Sequence, residues 1–263
     1  MTATVAKRPA TDTNLREAYQ RDGFVVVRAL FDPVLMATAA TEADRLLVDY
    51  DHLRSVKNLR CRWQSNVFTG VCTFETFDPV IDIGPVCDRL AHDPLLLGLL
   101  ASLYDQPAWL FKDKLIYKPP GVKGYGLHQD WIAWKDFPKS FLTVLIPFDS
   151  SDRDNGCTVV YPGYHHDGPL THQDGKYHEL PDGIVDETTA VPLILEPGDV
   201  AVFSGFTPHR SDPNRSNRWR RQLYLSYNAH TDGGDQREKH YHEFHNWLRE
   251  KYAEHGKLDT YFE

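Results

Sequence analysis

The chain of 263 residues has few cysteines, no long apolar run and no excess of basic residues. Its four cysteines show no CxxC spacing, which argues against a disulfide scaffold or a zinc knuckle and favours reduced, packed thiols. No apolar run follows the first ten residues, and the stretch 95–103 is too short and too interrupted to cross a bilayer. We therefore expect a cytoplasmic protein without a signal peptide or a membrane partner.

Charge excludes a further class of function. Lys and Arg number 29 against 37 Asp and Glu, which gives a net charge of −8 with neutral histidines. This balance argues against bulk binding to nucleic acid. Hydrophobic residues make up 41% and charged residues 25%, as in an ordinary globular protein. The thirteen histidines are the unusual count, and they raise the question of a metal site.

The pattern along the chain changes near residue 106. We expect a flexible tail over 1–13, a mainly helical wrap over 14–105, a β-rich core over 106–230, and a C-terminal helix and tail over 231–263. The core consists of short apolar runs separated by turn sequences such as Asn155-Gly156, which is typical of a sandwich or jelly roll. No helices alternate with these runs, so a doubly wound parallel sheet is excluded and one domain is predicted.

Individual elements follow from caps and periodicity. The predicted helices cover 14–21, 33–49, 83–92, 94–104 and 237–253, and Asp32 with Pro33 begins the second of them. The predicted strands cover 24–27, 108–118, 141–148, 158–161, 190–195, 200–203 and 222–228.

The sharpest local motif is His128-Gln129-Asp130, which follows a glycine-rich segment. On a strand, residues i and i+2 point to one face, so His128 and Asp130 can share a metal. A histidine-x-aspartate pair is weak evidence alone, and His209, after the predicted strand 200–203, is the best third ligand. Two histidines and one carboxylate form the facial triad of non-haem Fe(II) oxygenases, which leaves coordination positions open.

A basic cluster lies eleven residues beyond His209. A 2-oxoglutarate molecule that chelates iron needs an anchor for its distal carboxylate, and the planar fork of an arginine suits that role. Arg220 is the candidate, and Ser211 can add a hydroxyl donor to the same carboxylate. Arg218 shares the face of Arg220 on an alternating strand, so the residues alone leave the choice between them open.

These motifs together resemble the phytanoyl-CoA dioxygenase (PhyH) family, and the resemblance covers about residues 19–227. It rests on a combination of motifs: His128-x-Asp130, Asn155-Gly156, Pro162-Gly163-Tyr164-His165, Pro197-Gly198-Asp199, and His209-x-Ser211 with Arg220. The segment 208–228 is especially similar to bacterial small-molecule hydroxylases such as 2-aminoethylphosphonate dioxygenase and, more distantly, ectoine hydroxylase.

The resemblance implies a double-stranded β-helix of the jelly-roll, cupin-like type, mainly β with α, flanked by N-terminal helices and a C-terminal helix. It implies His128, Asp130 and His209 as iron ligands and Arg220 as the 2-oxoglutarate anchor. The cofactors are then Fe(II), 2-oxoglutarate and O₂, and the reaction is hydroxylation of a small polar metabolite by a monomer or homodimer. An acyl-CoA substrate, desaturation and cyclisation use the same ligands and stay open.

Further residues near the motif are candidates with equally ordinary alternatives. Lys112 or Lys114 can reach a carboxylate of 2-oxoglutarate or of an anionic substrate, or can be a solvated edge-strand lysine. Thr143 can hydrogen-bond 2-oxoglutarate or simply pack. The candidate substrate contacts are Trp134, Trp131 and Gln129, against lid packing for the tryptophans and a structural role for the glutamine.

The same residues and the net charge also argue against other functional classes. A cupin-like isomerase or metal-binding module needs no 2-oxoglutarate anchor, so Arg220 with Ser211 argues against it. An oxygenase acting on nucleic acid is disfavoured by the acidic charge. The C-terminal histidines at 240, 242 and 245 are predicted to be solvated rather than metal ligands, and the segments 165–191 and 230–263 are candidates to cover the site.

Overall fold

Two β-sheets face each other in the computed structural model, which describes residues 5–6, 12–133, 138–172 and 178–255. The larger sheet has eight strands in the order β1-β2-β10-β7-β12-β5-β4-β3, and the smaller has four in the order β6-β11-β8-β9. The strands are β1 Val5–Ala6, β2 Phe24–Val27, β3 Cys61–Ser65, β4 Cys72–Phe77, β5 Ala108–Lys118, β6 Tyr125–His128, β7 Leu142–Pro147, β8 Thr158–Val160, β9 Val191–Pro192, β10 Val200–Ser204, β11 His209–Ser211 and β12 Arg220–Ala229. The predicted jelly roll is confirmed.

Five α-helices accompany the sheets in the described part of the chain: α1 Asp12–Asp22, α2 Pro33–Asp49, α3 Pro85–Ala91, α4 Pro94–Tyr104 and α5 Arg237–Lys251. The start of α2 matches its predicted cap, since the Asp32 side chain accepts a hydrogen bond from the Val34 amide at 2.7 Å. Asp93 caps α4 in the same way through the Leu95 amide at 2.9 Å. No described helix has both the length and the apolar character needed to cross a bilayer.

Alternation along the strands separates two buried layers. On β5, Leu115 and Tyr117 face the helices, and the Tyr117 hydroxyl donates to the Ala43 carbonyl of α2 at 2.8 Å. On the opposite face of the large sheet, Leu145 and Phe203 belong to one buried cluster with Val160 of the small sheet. The polar site therefore lies between the two sheets, on the face turned away from α1–α4.

The segment 14–105 differs from the expected helical wrap. It contains an antiparallel hairpin, β3–β4, whose second strand extends the large sheet by pairing Thr76 with Ile116 of β5. The Gly70 amide donates to the Asn66 carbonyl at 2.8 Å in the hairpin loop, and Gly70 has φ of +69°. The hairpin buries Phe74 and Phe77 in the main hydrophobic cluster, and the spacing of three residues between them does not show the period-two alternation expected of a strand.

Three smaller expectations also change. Helix α1 begins at Asp12, within the predicted flexible tail, and the backbone of Val5–Ala6 pairs with β2. Only Val191–Pro192 of the predicted strand 190–195 is a strand, because Pro192 lacks the amide hydrogen that would continue the ladder. The prediction that the three histidines of α5 are solvated is wrong for two of them. Helix α5 buries His240 and His245, and only His242 is exposed.

Candidate metal centre

His128 and His209 meet across a strand pair of the small sheet. Strand β6 pairs antiparallel with β11, and the two histidines are direct partners in the register. Their ring centroids are 4.2 Å apart, and both residues are 7% exposed. Asp130 reaches them differently from the expected strand geometry, because β6 ends at His128 and Asp130 begins a short 3-10 turn.

The three side chains form one compact donor set. The Asp130 Oδ1 atom lies 3.6 Å from His128 Nε2 and 3.7 Å from His209 Nε2. One ligand atom from each residue lies within 4.8 Å of the other two. Adjacent ligands of an octahedral ion with bonds of about 2.1 Å are about 3 Å apart, so small rotations bring these atoms to coordinating distance. The geometry therefore fits a metal bound by two nitrogens and one oxygen.

Backbone contacts fix the tautomer of both imidazoles. His128 Nδ1 lies 2.8 Å from the Gly126 carbonyl, and His209 Nδ1 lies 3.0 Å from the Thr207 carbonyl. A carbonyl can only accept, so each Nδ1 has the proton and each Nε2 presents a lone pair to the centre. Burial first, and then the neighbouring His128, lower the pKa of His209 to about 4. The His209 ring is therefore neutral near pH 7, as a metal ligand must be.

Thr143 orients the carboxylate. Its hydroxyl donates to Asp130 Oδ2 at 2.7 Å, which leaves Oδ1 directed at the histidines. Burial raises the pKa of Asp130, but His209 and His128 more than offset it and hold that pKa far below its usual range. The hydroxyl of Thr143 is thus committed to Asp130 in this structure, rather than directed at a separate ligand, and its predicted contact with 2-oxoglutarate stays a prediction.

Arg220 lies at the start of β12 and is 2% exposed. Its guanidinium donates to the Gly156 carbonyl, and among the described residues its Nε has no hydrogen-bond partner. Arg218 is excluded from the interior, since it is about half exposed and pairs with Asp152 at 2.6 Å. The structure thus separates the two candidate anchors that the sequence left equivalent.

Lys118 is a buried neighbour of Arg220 that sequence reasoning missed. The two residues are register partners on β5 and β12, and Lys118 also donates to the Gly156 carbonyl at 3.2 Å. Its ammonium lies 3.3 Å from the Ser211 Oγ atom, so Ser211 is held beside Lys118. Burial and the adjacent Arg220 lower the pKa of Lys118 to about 6. The sequence signal that could have identified Lys118 is the even spacing of Lys112, Lys114 and Lys118, which places all three on one face of β5.

Glu75 of β4 is a buried acid beside these cations. It accepts a hydrogen bond from the Tyr125 hydroxyl at 2.6 Å, and burial raises its pKa against the influence of Tyr125 and Lys118. The residue lies on the hairpin that the sequence did not predict, so its approach to the barrel interior could not be expected.

A cavity of about 310 Å³ opens above the metal set. This is the lower end of the usual range for small-molecule sites. Its lining includes His128, Asp130 and His209, and on the opposite side Phe244, Trp247 and Lys251 of α5. The expectation that the C-terminal segment covers the site is met by α5 as far as Tyr252, beyond which the description ends at residue 255.

Lys112 lines the cavity but is paired. Its Nζ atom lies 3.1 Å from the Asp78 Oδ2 atom and 4.1 Å from the centroid of the Phe244 ring. Burial lowers the pKa of Lys112 against the opposing influence of Asp78. The predicted cofactor role of Lys112 therefore competes with an existing ion pair, and the neighbouring Lys114 is the more available of the two lysines named from the sequence.

Gln129 and Trp131, two of the three predicted substrate residues, do not belong to the described lining of the cavity. Gln129 is fully buried, donates to the Gly168 and Phe206 carbonyls at 2.9 and 2.6 Å, and accepts from the Leu170 amide. The Trp131 ring packs on Phe206 with centroids 4.9 Å apart. Both side chains therefore make structural contacts outside the described lining of the cavity, and Trp134 lies outside the described residues.

Comparison with known proteins gives relatives of one kind. The family model described as phytanoyl-CoA dioxygenase (PhyH) matches residues 19–222. The chain is 39% identical over 145 residues to a methylphosphonate hydroxylase of Gimesia maris, covering 53% of this chain and 52% of that protein. It is 32% identical over 145 residues to a 2-aminoethylphosphonate dioxygenase of an uncultured bacterium, covering 53% of each. The chain thus spans about half the length of these curated relatives.

The fold has a solved counterpart as well. The α-ketoglutarate-dependent epimerase SnoN from nogalamycin biosynthesis superposes with a TM-score of 0.69 at 24% identity, covering 84% of each chain. At that identity the likeness concerns the fold alone. The family model, in contrast, covers more than half of the chain and includes His128, Asp130, His209 and Arg220. The chain therefore belongs to the phytanoyl-CoA dioxygenase family.

Proposed function

We propose that this chain is an Fe(II)- and 2-oxoglutarate-dependent dioxygenase that hydroxylates an unactivated C–H bond of a small polar metabolite. The observation that supports it most is the donor set itself: two neutral imidazoles with Nε2 directed inward and one carboxylate oxygen. Such a set leaves positions open on an octahedral ion, as this chemistry requires. We take residues 1–263 as one oxygenase domain.

The proposed overall reaction consumes the substrate, 2-oxoglutarate and O₂ and yields the hydroxylated product, succinate and CO₂. Fe(II) with 2-oxoglutarate supplies the oxidising chemistry when bound. His128, Asp130 and His209 hold the metal, and the tautomers fixed by backbone carbonyls keep both imidazoles oriented. Arg220, with Ser211 beside it, holds the distal carboxylate of 2-oxoglutarate, which would occupy the unpartnered Nε.

The choice of a small substrate has its own support. A cavity of about 310 Å³ suits a small metabolite, and the two curated relatives are named for phosphonates of a few atoms. Methylphosphonate and 2-aminoethylphosphonate are therefore the first compounds to test. The four free thiols support the expected cytoplasmic location.

The test begins with anaerobic titration of Fe(II) and 2-oxoglutarate, followed by release of succinate in the presence of each phosphonate. We expect Arg220→Met to weaken 2-oxoglutarate binding about tenfold or more, because a buried charge-assisted contact is lost. Arg218→Met is the matched control, since that arginine is exposed and pairs with Asp152. Unchanged 2-oxoglutarate affinity in the Arg220 variant would refute the anchor, and absence of any 2-oxoglutarate binding would favour a cupin-like binding protein.

Product analysis separates the alternatives within the class. A gain of one oxygen atom identifies hydroxylation, whereas loss of two hydrogen atoms identifies desaturation or cyclisation. Asp130 favours hydroxylation over halogenation, because a halogenase leaves the carboxylate position open to a halide.

A further inference from the structure

The barrel-facing side of β5 carries a row of lysines. Alternate residues of this strand point between the sheets, and three of the four in the row are lysines: Lys112, Lys114 and Lys118. Lys112 pairs with Asp78, and Lys118 donates to backbone carbonyls and to Ser211. The middle lysine differs from both neighbours, because among the described residues the Lys114 ammonium has neither a carboxylate within ion-pair distance nor a hydrogen-bond acceptor.

Lys114 forms part of the cavity wall. It is half-buried, its register partner is Tyr224, and its Nζ atom lies 5.2 Å from the centroid of the Tyr224 ring. His128, Asp130 and His209 line the same cavity. A ligand in this cavity can therefore contact both the Lys114 ammonium and the metal set.

The charge of the cavity is opposite to that of the chain. Five cationic and two acidic side chains line it within the described structure, although the whole chain has a net charge of −8. Arg210 is neutralised from outside by Asp212 at 2.8 Å. Arg62 and Lys112 share the single carboxylate of Asp78, so an excess positive charge remains there as well.

Retaining an ammonium at a half-buried site requires a reason. Moving a charged group away from water is unfavourable unless an opposite charge or a hydrogen-bond partner compensates. The face of Tyr224 compensates in part, through a cation–π contact. Since Fe(II) and Arg220 together offset the charges of Asp130 and 2-oxoglutarate, the charge of Lys114 is left for a further anionic group.

We propose that Lys114 is an oxyanion-binding residue that holds a carboxylate or phosphonate group of a ligand beside the metal set. This inference rests on the proposed function, because the two anions available to the pocket are an anionic substrate and 2-oxoglutarate. With Arg220 and Ser211 assigned to the distal carboxylate of 2-oxoglutarate, we expect the substrate to supply the group. The substrate class is then a small organic anion.

The test compares Lys114→Met with the intact chain under anaerobic conditions, with Fe(II) present. Isothermal titration measures three ligands in turn: methylphosphonate, its neutral dimethyl ester, and 2-oxoglutarate. Lys57→Met is the control variant, since Lys57 is exposed and lies outside the cavity lining. Methionine keeps the length of the side chain and removes the charge, and the thermal midpoint of each variant reports that it is folded.

We expect Lys114→Met to weaken methylphosphonate binding roughly ten- to a hundredfold, and Lys57→Met to leave it unchanged. The neutral ester should bind the wild-type chain weakly and should not distinguish Lys114→Met from it. A weakening confined to 2-oxoglutarate supports the residue as an oxyanion site and identifies the cosubstrate as its ligand. Unchanged affinity for both anions in a folded Lys114→Met protein overturns the proposal, while failure of the wild-type chain to bind Fe(II) and 2-oxoglutarate overturns the proposed function instead.

Discussion

Replacing Thr143 with valine isolates one contact of the metal centre. The change keeps the branched shape and removes the hydroxyl that donates to Asp130 Oδ2 at 2.7 Å. Asp130 then loses the contact that directs its other oxygen toward the histidines. Partners of metal ligands typically contribute ten- to a hundredfold in metal affinity. The Asp130 side chain is 23% exposed, so water can replace part of the lost bond, and we expect a decrease of about tenfold.

The assay is an anaerobic Fe(II) titration in competition with a colorimetric chelator. Thr143→Ser retains a hydroxyl and should recover most of the affinity. Thr158→Val is a matched control, because Thr158 also lines the cavity but its hydroxyl contacts Tyr224 at 3.2 Å rather than a metal ligand.

Two results would contradict this reasoning. If folded Thr143→Val binds Fe(II) as tightly as the wild-type chain, the hydrogen bond does not orient Asp130 for the metal. If Fe(II) affinity is unchanged and only the 2-oxoglutarate affinity falls, the hydroxyl serves the cosubstrate, as the sequence alone predicted.

Two further predictions concern stability and its pH dependence. Gly124→Ala places a Cβ atom 1.7 Å from the Ser211 carbonyl oxygen, and it should lower the free energy of unfolding by about 2 kcal/mol or more. At Gly98 in α4 an added Cβ atom meets nothing within 4 Å, so Gly98→Ala should raise the free energy of unfolding by about 0.5–1 kcal/mol. Urea unfolding measures both changes. Burial raises the pKa of Asp78, but Lys112 and other cations overcome it and hold that pKa at about 2, below the usual 3.8. The stability from Asp78 is therefore complete above about pH 4 and lost as pH falls through about 2, and urea unfolding of Asp78→Asn should show a shallower loss over that window.

Local signals predicted most of the fold. Asp32 and Pro33 identified the start of α2, and the apolar run at 24–27 is β2, because caps and short buried runs depend on neighbours in the sequence. The hairpin at 61–77 lies between helical segments, and its partner strand β5 begins more than thirty residues further along the chain. Only that long-range pairing distinguishes it from a loop.

The candidate site likewise has features that the sequence predicts and features that depend on distant residues. Residue types and spacing, together with the family resemblance, indicated His128, Asp130 and His209, and the structure brings their side chains together. Spacing could not distinguish Lys112 from Lys114, since both point into the barrel and the difference is the distant Asp78. The buried α5 histidines were misjudged for a related reason: a polar helix face gives no sign of the sheet that covers it.

Helix α5 has a consequence for how this protein can change over generations. The match to the family ends at residue 222, and α5 begins at Arg237, yet Phe244, Trp247 and Lys251 form one wall of the cavity. Mutations in this helix therefore reshape the space above the metal without altering a ligand or its supporting hydrogen bonds. Selection can act on the shape of the cavity through this one short helix, while the strands that carry His128 and His209 stay unchanged.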